Sequence, residues 1–353
     1  MKRIPIILFF LVLAPAASAQ RSIDEVLRQV ENASRELEAQ RQLTAAQKQD
    51  AATGKYMANP TVEMEKMWGA AGAGQNTELA VVQTIDFPTV YGSRNRIAKL
   101  KGSLYEKQWE SQRQQLLLQA KQLCIKIVYL YRQRDLLDER LSNAERLSEA
   151  YRRKMETGDA TSLETNKIAV ESISARTAAD LNRAELQAKI QQLNTMTGDS
   201  DDSFEDVTYP PVETLPPADV LSEAYMSGNP LLESMENTLE IDRRTVALNR
   251  GLSLPQFEIG YRHDYGEGRA TGFKVGMSVP LFENKNKVKA AKAAAVSSQA
   301  QLESARTNAA SQFRMLYDQA VALSESMRSM RSALASQNLS LIHISEPTRL
   351  RRI

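Results

Sequence analysis

Between Pro88 and Gly158 the chain has no proline, and its side chains recur with helical spacing. The pattern predicts one helix over residues 89–157, closed by Glu156-Thr157-Gly158. Roughly 68 residues at 1.5 Å each make a rod of about 100 Å, longer than any ordinary globular core requires. Leu116, Leu123, Leu130 and Leu137 fall seven apart, and Ala120, Ile127 and Leu141 follow three of them by four. One narrow apolar seam results, with Arg, Lys, Glu and Gln on the other faces, and such a seam needs partner helices. After Gly158-Asp159-Ala160-Thr161-Ser162 a second helix is predicted from about residue 163 to 195, marked by Ile168, Ile173, Leu181, Leu186, Ile190 and Leu193. The two make an antiparallel helical hairpin. A strand feeds it: Leu79, Val81, Gln83, Ile85 and Phe87 alternate with Ala80, Val82, Thr84 and Asp86 up to Phe87-Pro88.

The rest of the chain repeats this plan. Residues 1–19 have a basic start (Lys2, Arg3), an apolar run and Ala17-Ser18-Ala19 before Gln20, which reads as a removable signal peptide. The apolar run is too short to span a bilayer, which takes about 20 residues. Residues 20–197 form a first repeat: a helix from 22 to about 57 with Asp24-Glu25 in its first turn, a strand over 61–68, a small-residue turn over 69–77, a strand over 78–87 and the hairpin. Residues 198–217 are a Pro- and Asp-rich linker, and residues 218–338 a second repeat, cut short. Val26-Leu27 answers to Val220-Leu221, Pro60 to Pro255 and Phe87 to Phe282 at a nearly constant offset. Phe257, Ile259, Tyr261, His263 and Tyr265 alternate with Glu258, Gly260, Arg262 and Asp264. Past a glycine-rich turn, Phe273, Val275, Met277, Val279 and Leu281 alternate with Lys274, Gly276 and Ser278. A long helix then starts near Lys287. The two halves are expected to interleave in one fold, because strand pairs split between repeats cannot each form a stable sheet.

Leu339-Ser340-Leu341-Ile342-His343-Ile344-Ser345-Glu346-Pro347-Thr348-Arg349 reads as the translation of a transposase adapter used in sequencing libraries. Residues 339–353 are therefore expected to be an adapter-derived tail, with the natural chain stopping near Asn338. The tail carries three Arg and one Glu, and the leader carries Lys2 and Arg3, so the formal charge of +2 becomes −2 without them. The basic balance thus implies no nucleic-acid partner. Clusters such as Arg94, Arg96, Lys99 and Lys101 read as a solvated helix face.

No enzymatic pattern stands out. With His343 in the tail, only His263 is left, in strand alternation beside a turn, where a rim side chain is favoured over a base or a metal ligand. The glycines of residues 69–74 and 266–272 make neither a dinucleotide nor a phosphate loop, since strands flank both. Met57, Met64 and Met67 read as packing, as does the lone Cys124, which has no disulfide partner. Nothing asks for a cofactor.

Alternating strands of 9 to 11 residues are also the length that crosses an outer membrane at a tilt, although a half-buried soluble sheet gives the same pattern. Four strands close no barrel of useful width, so several subunits would have to share one. Gly276-Met277-Ser278-Val279-Pro280-Leu281-Phe282 is similar to the strand-to-helix junction of the TolC family of outer-membrane export ducts. Asn229-Pro230-Leu231 and Ser253-Leu254-Pro255 match places where that family often has Asn-Pro and Leu-Pro, and Gln83-Thr84-Ile85-Asp86-Phe87-Pro88 is similar to its heavy-metal efflux branch. The resemblance covers the chain from Ser22 to Asn338.

It implies an α+β membrane protein, in which long antiparallel hairpins form a periplasmic tunnel and each of three chains gives four strands to a shared twelve-stranded barrel. The implied function is a passive duct in the outer membrane of a Gram-negative cell, serving tripartite efflux or type I secretion. The implied partners are two further copies, a periplasmic adaptor protein, an inner-membrane pump and outer-membrane lipid. Arg153, Met155, Gly158, Asp159, Thr161, Ser162 and Leu163 resemble the tunnel tip that meets the adaptor. Phe257, Ile259, Tyr261, Phe273, Val275, Met277 and Val279 would face lipid, with Glu258, Arg262 and Lys274 toward the lumen. Two departures are the missing second hairpin and the missing acylated N-terminal cysteine. The alternative is a periplasmic coiled-coil adaptor or scaffold, which uses the hairpin without entering a membrane.

Overall fold

The computed structural model describes residues 22–68, 75–198, 204, 209–210, 214–266, 269–280, 282 and 284–345. The expected leader, most of the linker and residues 346–353 of the expected tail lie outside the described residues. The chain divides into two compact units, one of residues 1–39 and 113–212, the other of residues 40–112 and 213–353. Each takes part of the helices α2 (Arg35–Thr53) and α3 (Pro88–Glu156).

In the first unit, α1 (Ile23–Ala33) opens on a capping box. Ser22 Oγ accepts from Glu25 N at 3.3 Å, and Glu25 Oε2 accepts from Ser22 N at 3.0 Å, so two amides at the helix start are satisfied at once. The single helix expected over residues 22–57 is two. Ser34 leaves the helical conformation, donates its N–H to Val30 O at 3.1 Å and accepts from Leu37 N on its own Oγ at 3.4 Å. A serine competes with the ladder for backbone groups in this way, closing one helix while capping the next.

The seam predicted on α3 is the core of this unit. Leu116, Ala120, Leu123, Ile127 and Leu130 are buried with Val26 and Val30 of α1, Leu186 and Leu193 of α4 (Ser162–Thr197), and Phe204. Side chains as completely buried as Ile127 and Leu130 each contribute about 1.5–3 kcal/mol of transfer free energy. Cys124 is buried among them, and desolvation pushes its thiol up to about 12, consistent with a packing role. At the end of α4, Gly198 has φ +74, and a Cβ there would also lie 3.0 Å from the Ala33 carbonyl oxygen.

The second unit contains β1 (Thr61–Trp68), β2 (Gln75–Ile85), β3 (Gln256–Asp264) and β4 (Thr271–Ser278). They form one antiparallel sheet in the order β1-β2-β3-β4, so the two predicted strand pairs do join. β2 begins earlier than its hydrophobic alternation suggests, because Gln75, Asn76 and Thr77 pair with Trp68, Met67 and Lys66. α5 (Ala218–Ser227) and α6 (Pro230–Gly251) both pack on α7 (Lys287–Ser345), which carries residues 339–345 of the expected tail.

The expected fold class is corrected here. The sheet is open, with β1 and β4 as unpaired edges, and no twelve-stranded barrel closes, since four strands are too few to bend into a cylinder. Among the described residues no helix is long and apolar enough to cross a membrane.

Candidate interaction site

The α3–α4 hairpin is held by charged pairs along its length. Lys126 meets Glu185 at 3.1 Å, Arg183 meets Asp138 at 2.6 Å, Arg176 meets Glu145 at 2.6 Å and Arg140 meets Glu171 at 2.5 Å. Each is exposed, so each is worth at most about 1 kcal/mol, and their value lies in fixing which residues stand opposite one another. Inside the seam Asn182 is buried and donates from Nδ2 to Gln133 Oε1 at 3.0 Å. A polar residue at a core position costs stability and pins the pairing. Beside these pairs a shallow groove of about 400 Å³ is lined by Leu136, Arg140, Ala144, Leu147 and Glu171.

The turn brings together all seven residues predicted at the tip. Gly158 has φ +83, Asp159 N donates to Lys154 O at 2.7 Å, and Gly158 N donates to Met155 O at 3.2 Å. This is the Schellman arrangement, in which a left-handed residue lets the chain leave the helix while the last carbonyls stay paired. Thr157 Oγ1 donates to Asp159 Oδ2 at 2.9 Å. Thr161 then caps α4, its Oγ1 accepting from Glu164 N at 3.3 Å while Glu164 Oε2 accepts from Thr161 N at 3.0 Å. The Thr161 N–H and hydroxyl hold the Glu164 carboxyl below its usual range. On the α3 side Glu149 pairs with Arg152 at 3.0 Å and Arg153 at 3.2 Å, which lowers its pKa. Ser162 is exposed, Met155 is exposed, and Leu163 is 77% exposed. Glu149 and Glu164 were not singled out from sequence, although Thr161-Ser162-Leu163-Glu164 is a readable capping box.

The second predicted set lies on the sheet. Phe257, Ile259 and Tyr261 of β3 stand opposite Met277, Val275 and Phe273 of β4 on one face, all exposed, with Phe273 at 87%. Tyr261 and Phe273 meet edge to face at 6.3 Å. Val279 lies just past β4, also exposed. Val81 of β2 and Val62 of β1 extend the row. The opposite parity carries Glu258, Arg262 and Lys274, and Arg262 is ion-paired to the buried Glu78. His263 rests its ring against Tyr265 at 4.3 Å. Asp264 is held below its usual range by the Gly266 N–H and the Asn76 amide.

No protein-family model matches the sequence, and no curated protein matches it. Solved structures do. The outer membrane protein VceC from Vibrio cholerae superposes with a TM-score of 0.72 at 11% identity, over 94% of this chain and 86% of that one. CusC, studied for folding and transmembrane channel formation, gives 0.70 at 16% over 93% and 81%. The Campylobacter jejuni CmeC outer membrane channel gives 0.65 at 15% over 85% and 73%. The chain has the fold of these channel proteins. At such identities the likeness is one of fold, as the TolC-family resemblance implies, and it does not single out the heavy-metal branch. Among the described residues no three His, Cys, Asp or Glu side chains are grouped to hold a metal.

The expectation of an outer-membrane efflux duct, with an outer-membrane location and a trimeric barrel, is corrected. The sheet of this chain is open on two edges and closes no barrel by itself. The α3–α4 hairpin ends in a capped, exposed turn.

Proposed function

We propose that the chain is a non-catalytic coiled-coil adaptor or scaffold of the periplasm, which works as an assembly of copies and presents the α3–α4 turn to a helical partner. The single observation that carries this is the turn itself, where exposed Met155, Ser162 and Leu163 sit on a stem braced by ion pairs on both sides. A stem already ordered before docking loses little conformational entropy in the complex. Export rests on the signal-peptide pattern of residues 1–19.

In the finer form of this reading the assembly has three copies, the turn meets the hairpin of a periplasmic adaptor protein, and an inner-membrane pump lies beyond it. Kinship to heavy-metal systems rests on Gln83-Thr84-Ile85-Asp86-Phe87-Pro88 alone. The exposed sheet row around Phe273 and Val275 is a second contact surface, suited by its apolar chemistry to lipid.

Ser162→Cys, combined with a short bifunctional crosslinker and a candidate hairpin-bearing partner, is expected to give one specific adduct. The same change at Lys48, which lies with its ion-pair partner Glu106 in the second unit, is expected to give none. Equal labelling from both positions would overturn the assignment.

A further inference from the structure

Two basic stretches meet at one end of the sheet in the second unit. Residues 88–105 and 284–302 contain no Asp or Glu, yet the first stretch holds two Arg and two Lys and the second holds four Lys. The fold brings them together at the last turn of α6. Asn249 Nδ2 donates to Lys287 O at 3.3 Å, Asn284 Nδ2 donates to Leu252 O, and a Cβ on Gly251 would lie 3.0 Å from Val90 Cγ2. The start of α3 and the start of α7 therefore flank one helix end. Arg94 is engaged by Asp86 at 2.7 Å. Arg96 and Lys99 on α3, and Lys289 and Lys292 on α7, stand three apart on exposed faces, away from the buried Ile97 and Ala291.

Local folding does not account for this charge. Lys287 and Lys289 lie in the first turn of α7, where positive charge opposes the helix dipole, and neither α3 nor α7 has an acidic residue in its first turn. A returning helix does not account for it either. α4 shares a unit with α3 only from residue 113 onward, and the repeat gives the start of α7 the same place as the start of α3. The surface beside the basic stretches is apolar and exposed. Phe257 and Met277 end the apolar row at this end of the sheet, and Val279 and Phe282 continue it toward Lys285, with Phe282 at 84% exposure. Gln83 Nε2 donates to Ala58 O at 2.8 Å, which places the exposed Tyr56 at the same end, with Lys55 over its ring at 5.3 Å. Aromatic rings next to Lys and Arg, at the border of an apolar face, suit the headgroup layer of a bilayer. An acidic protein surface would match the charge alone, whereas an anionic lipid surface matches the charge and the rings together.

We propose that this end of the sheet is a docking surface for anionic lipid headgroups, with Arg96, Lys99, Lys289 and Lys292 on the phosphates and Phe282 at the boundary with the acyl chains. Such docking holds the chain at a bilayer surface and needs no spanning segment. It goes beyond the scaffold reading and does not rest on the α3–α4 turn. The test is co-sedimentation of the full chain with vesicles of phosphatidylcholine alone, and with vesicles in which about a third of the lipid is phosphatidylglycerol. At low salt the anionic vesicles are expected to bind on the order of tenfold more tightly, a gain that salt screens away. Lys289→Glu with Lys292→Glu is expected to remove most of the gain without lowering the thermal midpoint, since both side chains are exposed. Lys289→Arg with Lys292→Arg is expected to keep it. Arg28→Glu with Lys121→Glu, the same charge change on exposed residues of the first unit, is expected to leave it nearly intact. Phe282→Ser is expected to weaken binding to both kinds of vesicle, and millimolar inorganic phosphate not to compete. Equal binding to neutral and anionic vesicles, equal losses from the two double Glu variants, or release by phosphate would overturn the proposal. Crosslinking from Ser162 is read separately, so retained Ser162 adducts with no anionic gain mark the failure of this inference alone.

Discussion

At the scale of the residue, two glycines hold conformations that other residues resist, and they differ in surroundings. Gly158 at φ +83 meets open space, so a side chain there faces only the strain of the left-handed region, about 1–2 kcal/mol. Gly198 at φ +74 adds a close approach to the Ala33 carbonyl oxygen. Gly198→Ala is therefore expected to lower the thermal midpoint more than Gly158→Ala, and Gly158→Asn less than either, since Asn tolerates this region. Equal shifts at the two sites would show that the Ala33 contact relaxes freely. The cap beside Gly158 has its own pH dependence. Because Thr161 holds the Glu164 carboxyl low, the stabilisation is fully present above the ordinary Glu value of about 4.3 and is lost as pH falls through the lower folded value. Thermal midpoints measured across acid pH are expected to fall less steeply in Thr161→Ala than in the parent chain.

At the scale of the element, the long hairpin was legible because its seam repeats every seven residues over several turns, and that regularity outweighs any local ambiguity. Leu116, Leu123 and Leu130 occupy the places their spacing assigns. The break at Ser34 was not legible, since a single serine in a polar helix gives no sign of turning its hydroxyl back on Leu37. The early start of β2 was hidden for a related reason: Gln75, Asn76 and Thr77 carry no apolar side chain to show the alternation, Asn76 is a turn former by type, and pairing with β1 holds all three extended. The tip residues were placed by glycine and capping chemistry, whereas the contacts of Glu149 depended on two arginines three and four residues along, which composition alone does not rank. The seam gives a direct comparison. Leu130→Ala removes a side chain with no exposure and is expected to cost about 2–5 kcal/mol, while Leu136→Ala on the exposed face stays within about 0.5 kcal/mol. Urea unfolding of both variants checks this, and similar losses would mean that Leu136 is covered in the assembled state.

At the scale of the whole molecule, the sheet face and the net charge act together. The exposed row of Phe257, Ile259, Tyr261, Phe273, Val275 and Met277 is larger than the scattered apolar residues a monomeric surface normally carries. It lies on a sheet whose outer strands, β1 and β4, leave backbone groups unpaired. Unpaired edges template contact with other chains, and a charge near zero does little to keep copies apart. Here the formal charge is +2. On the opposite parity Lys274 already interrupts the apolar pattern of β4, so the two faces of one strand offer an internal control. Val275 is 78% exposed, and Val275→Arg replaces apolar surface with charge at a site where little packing is lost. Its thermal midpoint is expected to stay close to that of the parent chain, while light scattering on heating and binding to neutral vesicles both fall. Lys274→Glu is expected to change neither, because it exchanges one charge for another on the face that already carries Glu258 and Arg262. Were the two substitutions to lower vesicle binding equally, charge rather than the apolar row would govern the contact, and the sheet face would lose its standing as a lipid-compatible surface.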